Sequence, residues 1–316
     1  MLLREKRFLS ATFILGLFIA MVMMFGITAQ ADAAEYKSVG YINDNKVITC
    51  NGIEFTKSSS TLDNVYKSVY KFGNNTVTLT QGDYNTDGSQ YMNSVFTNGN
   101  YVYYAVGKIS SSSTSTTIYK MNLSTGSKTK VKTFSNNNNI WITGVYGKRI
   151  YYLTNKGSAK NDNGALKCYK TDTKTTTTLN SSVTAVYDNY GRFGNGRYMY
   201  MWINSSGYLK VYDTHTAKLV RTMKTWPSGT YGMSIAGMTG TKVVLVPFNN
   251  NTTNAYRIDD SGANKTTLVS DIGGNCNVKN GYFYYNKGSN NYYKMKISDK
   301  TKTTIDSEEY WAAAEY

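Results

Sequence analysis

The chain has 316 residues, with 35 Lys and Arg against 20 Asp and Glu, a formal charge of +15 and 29 tyrosines. A single histidine and three cysteines, Cys50, Cys168 and Cys276, spaced far apart, argue against a His/Cys zinc site and a disulfide framework. The basic residues are mostly dispersed lysines rather than arginine clusters, which with an export segment argues against a nucleic-acid partner.

In chain order, residues 1–33 read as a signal peptide. Arg4, Lys6 and Arg7 form the basic start, and Phe8–Ile27 is nearly all apolar. Ala29-Gln30-Ala31 and Ala31-Asp32-Ala33 are overlapping A-x-A cleavage patterns. A run of this length can also span a bilayer, so an uncleaved anchor is the alternative, and the only membrane contact the sequence suggests. The expected location is secreted or cell-surface.

Residues 35–316 read as one all-β domain of internal repeats. Short β-branched and aromatic runs alternate with Gly/Asn/Ser turns. One strand recurs as Val47-Ile48-Thr49, Val102-Tyr103-Tyr104, Ile150-Tyr151-Tyr152, Met199-Tyr200-Met201, Val243-Val244-Leu245 and Phe283-Tyr284-Tyr285, at steps of 55, 48, 49, 44 and 40 residues. A second recurs as Val69-Tyr70-Lys71-Phe72, Ile118-Tyr119-Lys120-Met121, Cys168-Tyr169-Lys170-Thr171, Val211-Tyr212-Asp213, Ala255-Tyr256-Arg257-Ile258 and Tyr293-Lys294-Met295-Lys296. A Lys/Thr-rich strand follows each polar turn. A less regular strand opens each repeat, as in Tyr36–Tyr41 and Tyr91–Phe96. Four strands per 40–50 residues is the period of a propeller blade, so six repeats predict a six-bladed β-propeller of four-stranded antiparallel blades. Tyr310–Tyr316 is expected as a terminal strand or tail that could pair into the first or last blade.

The aromatic strand Tyr101-Val102-Tyr103-Tyr104 with Ile118-Tyr119-Lys120-Met121-Asn122-Leu123 and Gly126 resembles the YWTD-type propellers of the low-density lipoprotein receptor. It is closer still to secreted propeller domains of Gram-positive bacteria similar to them. The resemblance runs from Tyr36 to about Ile305, without a literal YWTD tetrapeptide. It implies the fold and assigns no ligand.

Strand tyrosines are expected to pack between sheets with wet hydroxyls. The loops that open each blade carry Tyr84, Trp141, Tyr190, Phe193, Trp226 and Tyr231 among Asn, Ser and Gly. Rings beside amide and hydroxyl groups suit sugars, so Tyr84, Trp141, Tyr190, Trp226 and Tyr231 are the candidate binding residues; capping of blade edges is the plainer alternative. Asp83, Asn85 and Asp87 precede Gly88 with the alternating oxygens of a calcium loop, although position twelve is Ser94 and no helix flanks it. An Asx-rich turn competes with Ca²⁺ there. Asp172, Asp213, Asp259 and Asp299 occupy equivalent turns, which assigns them to structure. His215 should face solvent in its turn, leaving no Ser-His-Asp set.

The expected function is therefore an exported binding or scaffolding propeller of the cell envelope rather than an enzyme. Its expected partner is carbohydrate or an anionic cell-wall polymer, or a protein at the cell surface. A protein-interaction propeller and a polysaccharide lyase or hydrolase are the alternatives.

Overall fold

The computed structural model describes residues 35–62, 65–81, 88–110, 113–135, 139–155, 164–187, 192–249, 253–273 and 276–314. The predicted signal peptide, the Asp83/Asn85/Asp87 loop, Tyr84 and Tyr190 lie outside them.

The chain is an all-β propeller of antiparallel four-stranded sheets. The first sheet runs β2 (Val47–Cys50), β3 (Ile53–Leu62), β4 (Val65–Phe72) and β5 (Asn75–Gln81). The second has β6 (Gln90–Thr97), β7 (Tyr101–Ile109), β8 (Thr114–Asn122) and β9 (Lys128–Phe134), with β1 (Lys37–Ser38) added beside β6. Next come β10 (Asn139–Tyr146), β11 (Arg149–Asn155), β12 (Gly164–Lys170) and β13 (Thr176–Val186), continuing into β14 (Tyr198–Ile203), β15 (Tyr208–Asp213) and β16 (Lys218–Met223). The last two sheets are β17 (Gly232–Thr239), β18 (Lys242–Phe248), β19 (Ala255–Asp259) and β20 (Thr266–Val269), then β21 (Cys276–Lys279), β22 (Tyr282–Lys287), β23 (Asn291–Lys296) and β24 (Lys302–Ile305).

Hydrogen bonding thus joins the strands into five sheets where the repeats number six. The cause is β13, which pairs β12 through Thr176–Val183 and then β14 through Thr184–Val186. One long strand serves as the outer strand of one repeat and the opening strand of the next.

Burial grades across each sheet as the strand sequences require. The second strand is covered on both faces by neighbouring sheets, so β7 (YVYYAVGKI) is buried continuously from Val102 to Val106 instead of alternating. The third strand alternates, as in β8 and β15, and outer strands such as β9 and β16 are largely exposed and carry the lysines. Apolar clusters fill the gaps between successive sheets, with Phe55, Phe72 and Tyr104 in the first and Trp202, Leu245 and Ile258 in a later one.

Three expectations are corrected. The counterpart of Tyr101–Ile109 in the first repeat is Ile53–Leu62, behind the turn Asn51-Gly52, and the two strands begin 48 residues apart. Val47–Thr49 is instead the opening strand of that sheet, so the anomalous 55-residue step was a one-strand slip. That frees residues 35–42 from the first sheet. They run antiparallel to β6, with Lys37 opposite Thr97, Ser38 opposite Phe96 and Val39 N–H donating to the Val95 carbonyl at 2.9 Å. Tyr36 is fully buried, its ring 5.4 Å from that of Tyr103, and its carbonyl faces Gly196 of the fourth repeat. The segment therefore lies where the opening strands of several sheets converge.

The tail is not a strand. Ser307–Ala314 forms a helix, α1, because Asp306 caps it by accepting the Glu309 N–H at 2.8 Å and Ala312–Ala314 favour helix. Tyr310 and Ala313 bury against the last sheet, and Asn277 and Lys279 donate to the carbonyls of Ala313 and Ala312. No core cluster among the described residues joins the first sheet to the last. The last sheet is covered by α1, while the first shows an outer face of Thr49, Glu54, Ser58, Ser60, Thr76 and Thr78, all exposed.

The strand tyrosines also differ from expectation. Tyr151 and Tyr200, at equivalent positions, donate through buried hydroxyls to the Thr214 and Asp260 carbonyls in the turns of the following sheets, at 2.5 and 2.6 Å. Burial pushes both phenols well up, so these are neutral inter-sheet ties rather than wet rims.

Candidate functional site

A cleft opens between the β13–β14 and β17–β18 hairpins, with a volume of about 410 Å³. It is lined by Tyr187, Trp202, Asn204, Tyr231, Ser234 and Phe248, with backbone from both opening strands. It lies on the face made by blade-opening loops and second-to-third-strand loops.

Each lining residue follows from its place in the repeat. Trp202 ends a second strand buried on both sides and is itself 2% exposed, so it forms a rigid wall. Phe248 ends the equivalent strand of the next repeat, opposite Gly232. A Cβ at Gly232 would stand 2.8 Å from Phe248 Cδ2, so glycine is what lets that ring lie against the strand. Tyr231 precedes Gly232 and its ring sits 6.2 Å from Phe248, tilted by 30°. These two rings are 60% and 44% exposed. Tyr187 extends the surface: it meets Tyr41 edge-on at 6.4 Å and Phe193 at 5.5 Å. The Ile235 N–H donates to the Tyr187 carbonyl at 3.2 Å, which fixes the two walls relative to each other.

None of the described residues that line this cleft is charged. It can stack, exclude water and exchange hydrogen bonds through amide and hydroxyl groups. Its described lining provides no carboxylate or imidazole for proton transfer.

Of the described aromatic candidates, the structure brings only Tyr231 into this cleft. Trp141 is half-buried against the core and pairs across the sheet with Leu153. Trp226 donates from Nε1 to the Met223 carbonyl at 3.3 Å, meets Tyr256 edge-on, and carries Lys265 Nζ over its ring at 4.4 Å. Phe193 is 5% exposed and stacks on Phe96, which makes it core. The residues missed from sequence are Trp202, Tyr187 and Phe248. The first two read as ordinary strand aromatics; the signal for Phe248 was its place at a strand end opposite a glycine.

The single histidine is half-buried rather than turned fully out to solvent. His215 stacks on Tyr146 with centroids 3.8 Å apart, and its Nε2 is 3.6 Å from Glu35 Oε1. Its carbonyl accepts from Arg149 at 2.5 Å, and its N–H donates to Asp213 Oδ1 at 2.6 Å. Asp213, 5% exposed, is tied to Arg197 at 3.3 Å. The aspartate and histidine therefore brace the turn against the third repeat and residue 35. A second cavity of about 480 Å³ lies near them, between Glu35, Lys37, Arg192, Asn195 and Asp260, with mixed charge. None of the three cysteines is in a disulfide, and burial raises Cys276 to about 12, Cys50 and Cys168 also upward. Among the described residues no group of His, Cys, Asp and Glu is arranged for a metal ion, and no helix is long and apolar enough to cross a membrane.

No protein-family model matches the chain, and no curated protein matches it. Solved structures do. Dipeptidyl peptidase 4 of Porphyromonas gingivalis is 8% identical over 84% of this chain and 46% of its own, with a TM-score of 0.54. An oligogalacturonate lyase in complex with manganese is 10% identical over 86% and 84%, with a TM-score of 0.47. TolB of Acinetobacter baumannii is 11% identical over 88% and 65%, with a TM-score of 0.40. The chain spans less than half the length of the peptidase. At such identities the likeness shows the fold alone, and that fold is the β-propeller.

Proposed function

We propose that this chain is an exported binding or scaffolding propeller of the cell envelope that holds carbohydrate, or another surface polymer, in the Tyr231–Phe248 cleft. In this reading residues 1–33 are a signal peptide, the six repeats are six blades with β13 shared between two of them, and the domain is a secreted propeller similar to the YWTD type. The observation that carries the reading is a cleft whose described lining is uncharged, with two exposed aromatic rings on a rigid Trp202 wall. Exposed rings with amide and hydroxyl neighbours hold the apolar faces of sugars and meet their hydroxyls. The lyase or hydrolase reading finds less support, because a glycoside hydrolase needs two carboxylates and a lyase needs a base, and the described residues of this cleft supply neither.

The test is a glycan array followed by calorimetric titration of the best ligand, on the wild type, Tyr231→Ala and Phe248→Ala. Each ring removed from the centre of a small interface is expected to cost about 1–2 kcal/mol, roughly 5–30-fold in Kd. Stability should stay within about 0.5 kcal/mol, since both rings are exposed. Unchanged glycan affinity in both variants would remove the cleft as the site, and turnover of a bound glycan would restore the enzyme reading.

A further inference from the structure

The charge of the chain is distributed unevenly along it. From Gly88 to Asn161 there is not one Asp or Glu, while Lys108, Lys120, Lys128, Lys130, Lys132, Lys148, Arg149, Lys156 and Lys160 all fall there. This stretch covers the second sheet and the start of the third. A basic excess without acidic counterparts is more than the edge lysines of a soluble sheet need, because edge protection works with isolated charges.

The fold gathers part of that excess into one place. On β8 and β9, Lys120 and Lys132 share the face that also carries Tyr103 and Ile118 and looks toward the third sheet. Lys132 Nζ crosses the gap, hydrogen-bonding Thr176 Oγ1 of β13 at 3.1 Å and sitting 4.3 Å from the Tyr169 ring centroid of β12. Lys167 stands two residues before Tyr169, opposite Tyr152, whose ring meets Phe134 of β9 at 4.9 Å. It therefore projects into the same groove. All three lysines are half-buried. Burial, and then the charge of Lys167, hold the Lys132 ammonium below the ordinary lysine range, the direction expected where a half-buried cation faces a second cation. The one acid in the β12–β13 turn, Asp172, faces Lys148 instead at 4.0 Å.

We propose that this groove between the second and third sheets is a second binding site, which takes the phosphodiesters of a thin polyol-phosphate polymer. Ammonium groups act as point charges toward phosphate and need no planar, bidentate partner. The ring faces are already used: Lys120 covers Tyr101 at 4.0 Å, and Lys132 covers Tyr169 and stands 5.2 Å from the Phe134 ring centroid. A polymer that must stack bases finds no bare platform among the described residues, whereas a ring-free backbone needs none. The groove is separate from the Tyr231–Phe248 cleft, and the proposal stands whether or not that cleft binds sugar.

The experiment is calorimetric titration of the purified chain with a short poly(glycerol phosphate) oligomer over a series of salt concentrations. Oligothymidylate of matched charge and neutral dextran serve as comparison ligands. Expected are binding of the glycerol phosphate oligomer, a slope of log K on log salt near about −2, and weaker binding of oligothymidylate. Lys132→Gln/Lys167→Gln should weaken the oligomer at least about tenfold and flatten the salt slope, while Lys218→Gln, on the fourth repeat, should do neither. Thermal unfolding verifies the fold, and Lys167→Gln alone carries the test if the double variant is unstable. Absence of oligomer binding at low salt, equal or tighter binding of oligothymidylate, or full affinity in the lysine variants would each overturn the proposal.

Discussion

Replacing Tyr36 with alanine tests whether residues 35–42 hold the sheets together or merely lie among them. Tyr36 is fully buried, against Tyr103, in the cluster that also contains Phe96, Phe193 and Met199. A buried tyrosine removes about 150–250 Å² from water, and at about 25 cal/mol per Å² that is roughly 4–6 kcal/mol as an upper bound. Large-to-alanine substitutions in closed cores cost about 3–5 kcal/mol, and this segment touches several sheets, so partial collapse into the gap is restricted. The expected result is a loss of about 3–5 kcal/mol in guanidinium chloride unfolding, with an unchanged m-value. Gly196→Ala supplies the reciprocal measurement. Its backbone φ is 102°, and an added Cβ would lie 2.5 Å from the Tyr36 carbonyl oxygen. Both the conformation and the contact penalise alanine there. Deleting residues 35–42 should relieve the contact and leave only the conformational cost, of about 1–3 kcal/mol. A Tyr36→Ala loss below about 1 kcal/mol would show that the segment is not part of the packed interior.

Further expectations follow from other parts of the fold. Burial raises the phenols of Tyr70, Tyr285 and Tyr310 from 10 to about 12, so their neutral forms favour the folded state. That contribution is whole below pH 10 and is lost as pH rises through about 12, so tyrosinate absorbance should grow in step with cooperative unfolding there; titration of these phenols in a folded chain near pH 10 would contradict their burial. Lys300 has φ 65° at the turn position that Gly126 fills in the second repeat with φ 70°, each N–H donating to the carbonyl four residues back at 2.9 Å. Lys300→Gly should therefore stabilise by about 0.5 kcal/mol in thermal unfolding, the relief of left-handed strain slightly exceeding the added chain entropy. Tyr310→Ala should undock α1 and lower stability by about 3 kcal/mol, detected as faster hydrogen exchange across β21 and β23, which it covers. Gly232→Ala should weaken ligand binding to the cleft with little effect on stability, because the side chain it displaces, Phe248, is exposed and can move.

What the sequence alone determined is the repeating strand. Runs such as YVYYAV and IYYL sit behind Asn-Gly or Tyr-Gly turns, and only a strand covered on both faces keeps so continuous an apolar run. The Lys/Thr outer strands and the capping aspartates are local features too, so their places were legible. The slip in the first repeat came from choosing Val47-Ile48-Thr49 over Ile53-Glu54-Phe55. Alternation alone cannot separate two adjacent strands, although the Asn51-Gly52 turn marked the right one. The helix was marked by Asp306 and Glu309 but was outweighed by its place in an all-β chain.

The tertiary structure decided what depends on which sheets meet. Trp141, Trp226 and Tyr231 look alike as loop aromatics, yet one packs on the core, one is covered by Lys265, and only Tyr231 faces open space. Trp202 and Phe248 join Tyr231 from strands tens of residues away, and Lys132 meets Lys167 only because β9 faces β12. Such neighbours are set by stacking successive sheets, where the covering of a side chain depends on residues a whole repeat away. Local pattern therefore fixes the strands, while burial of one sheet against the next fixes the surfaces that can bind.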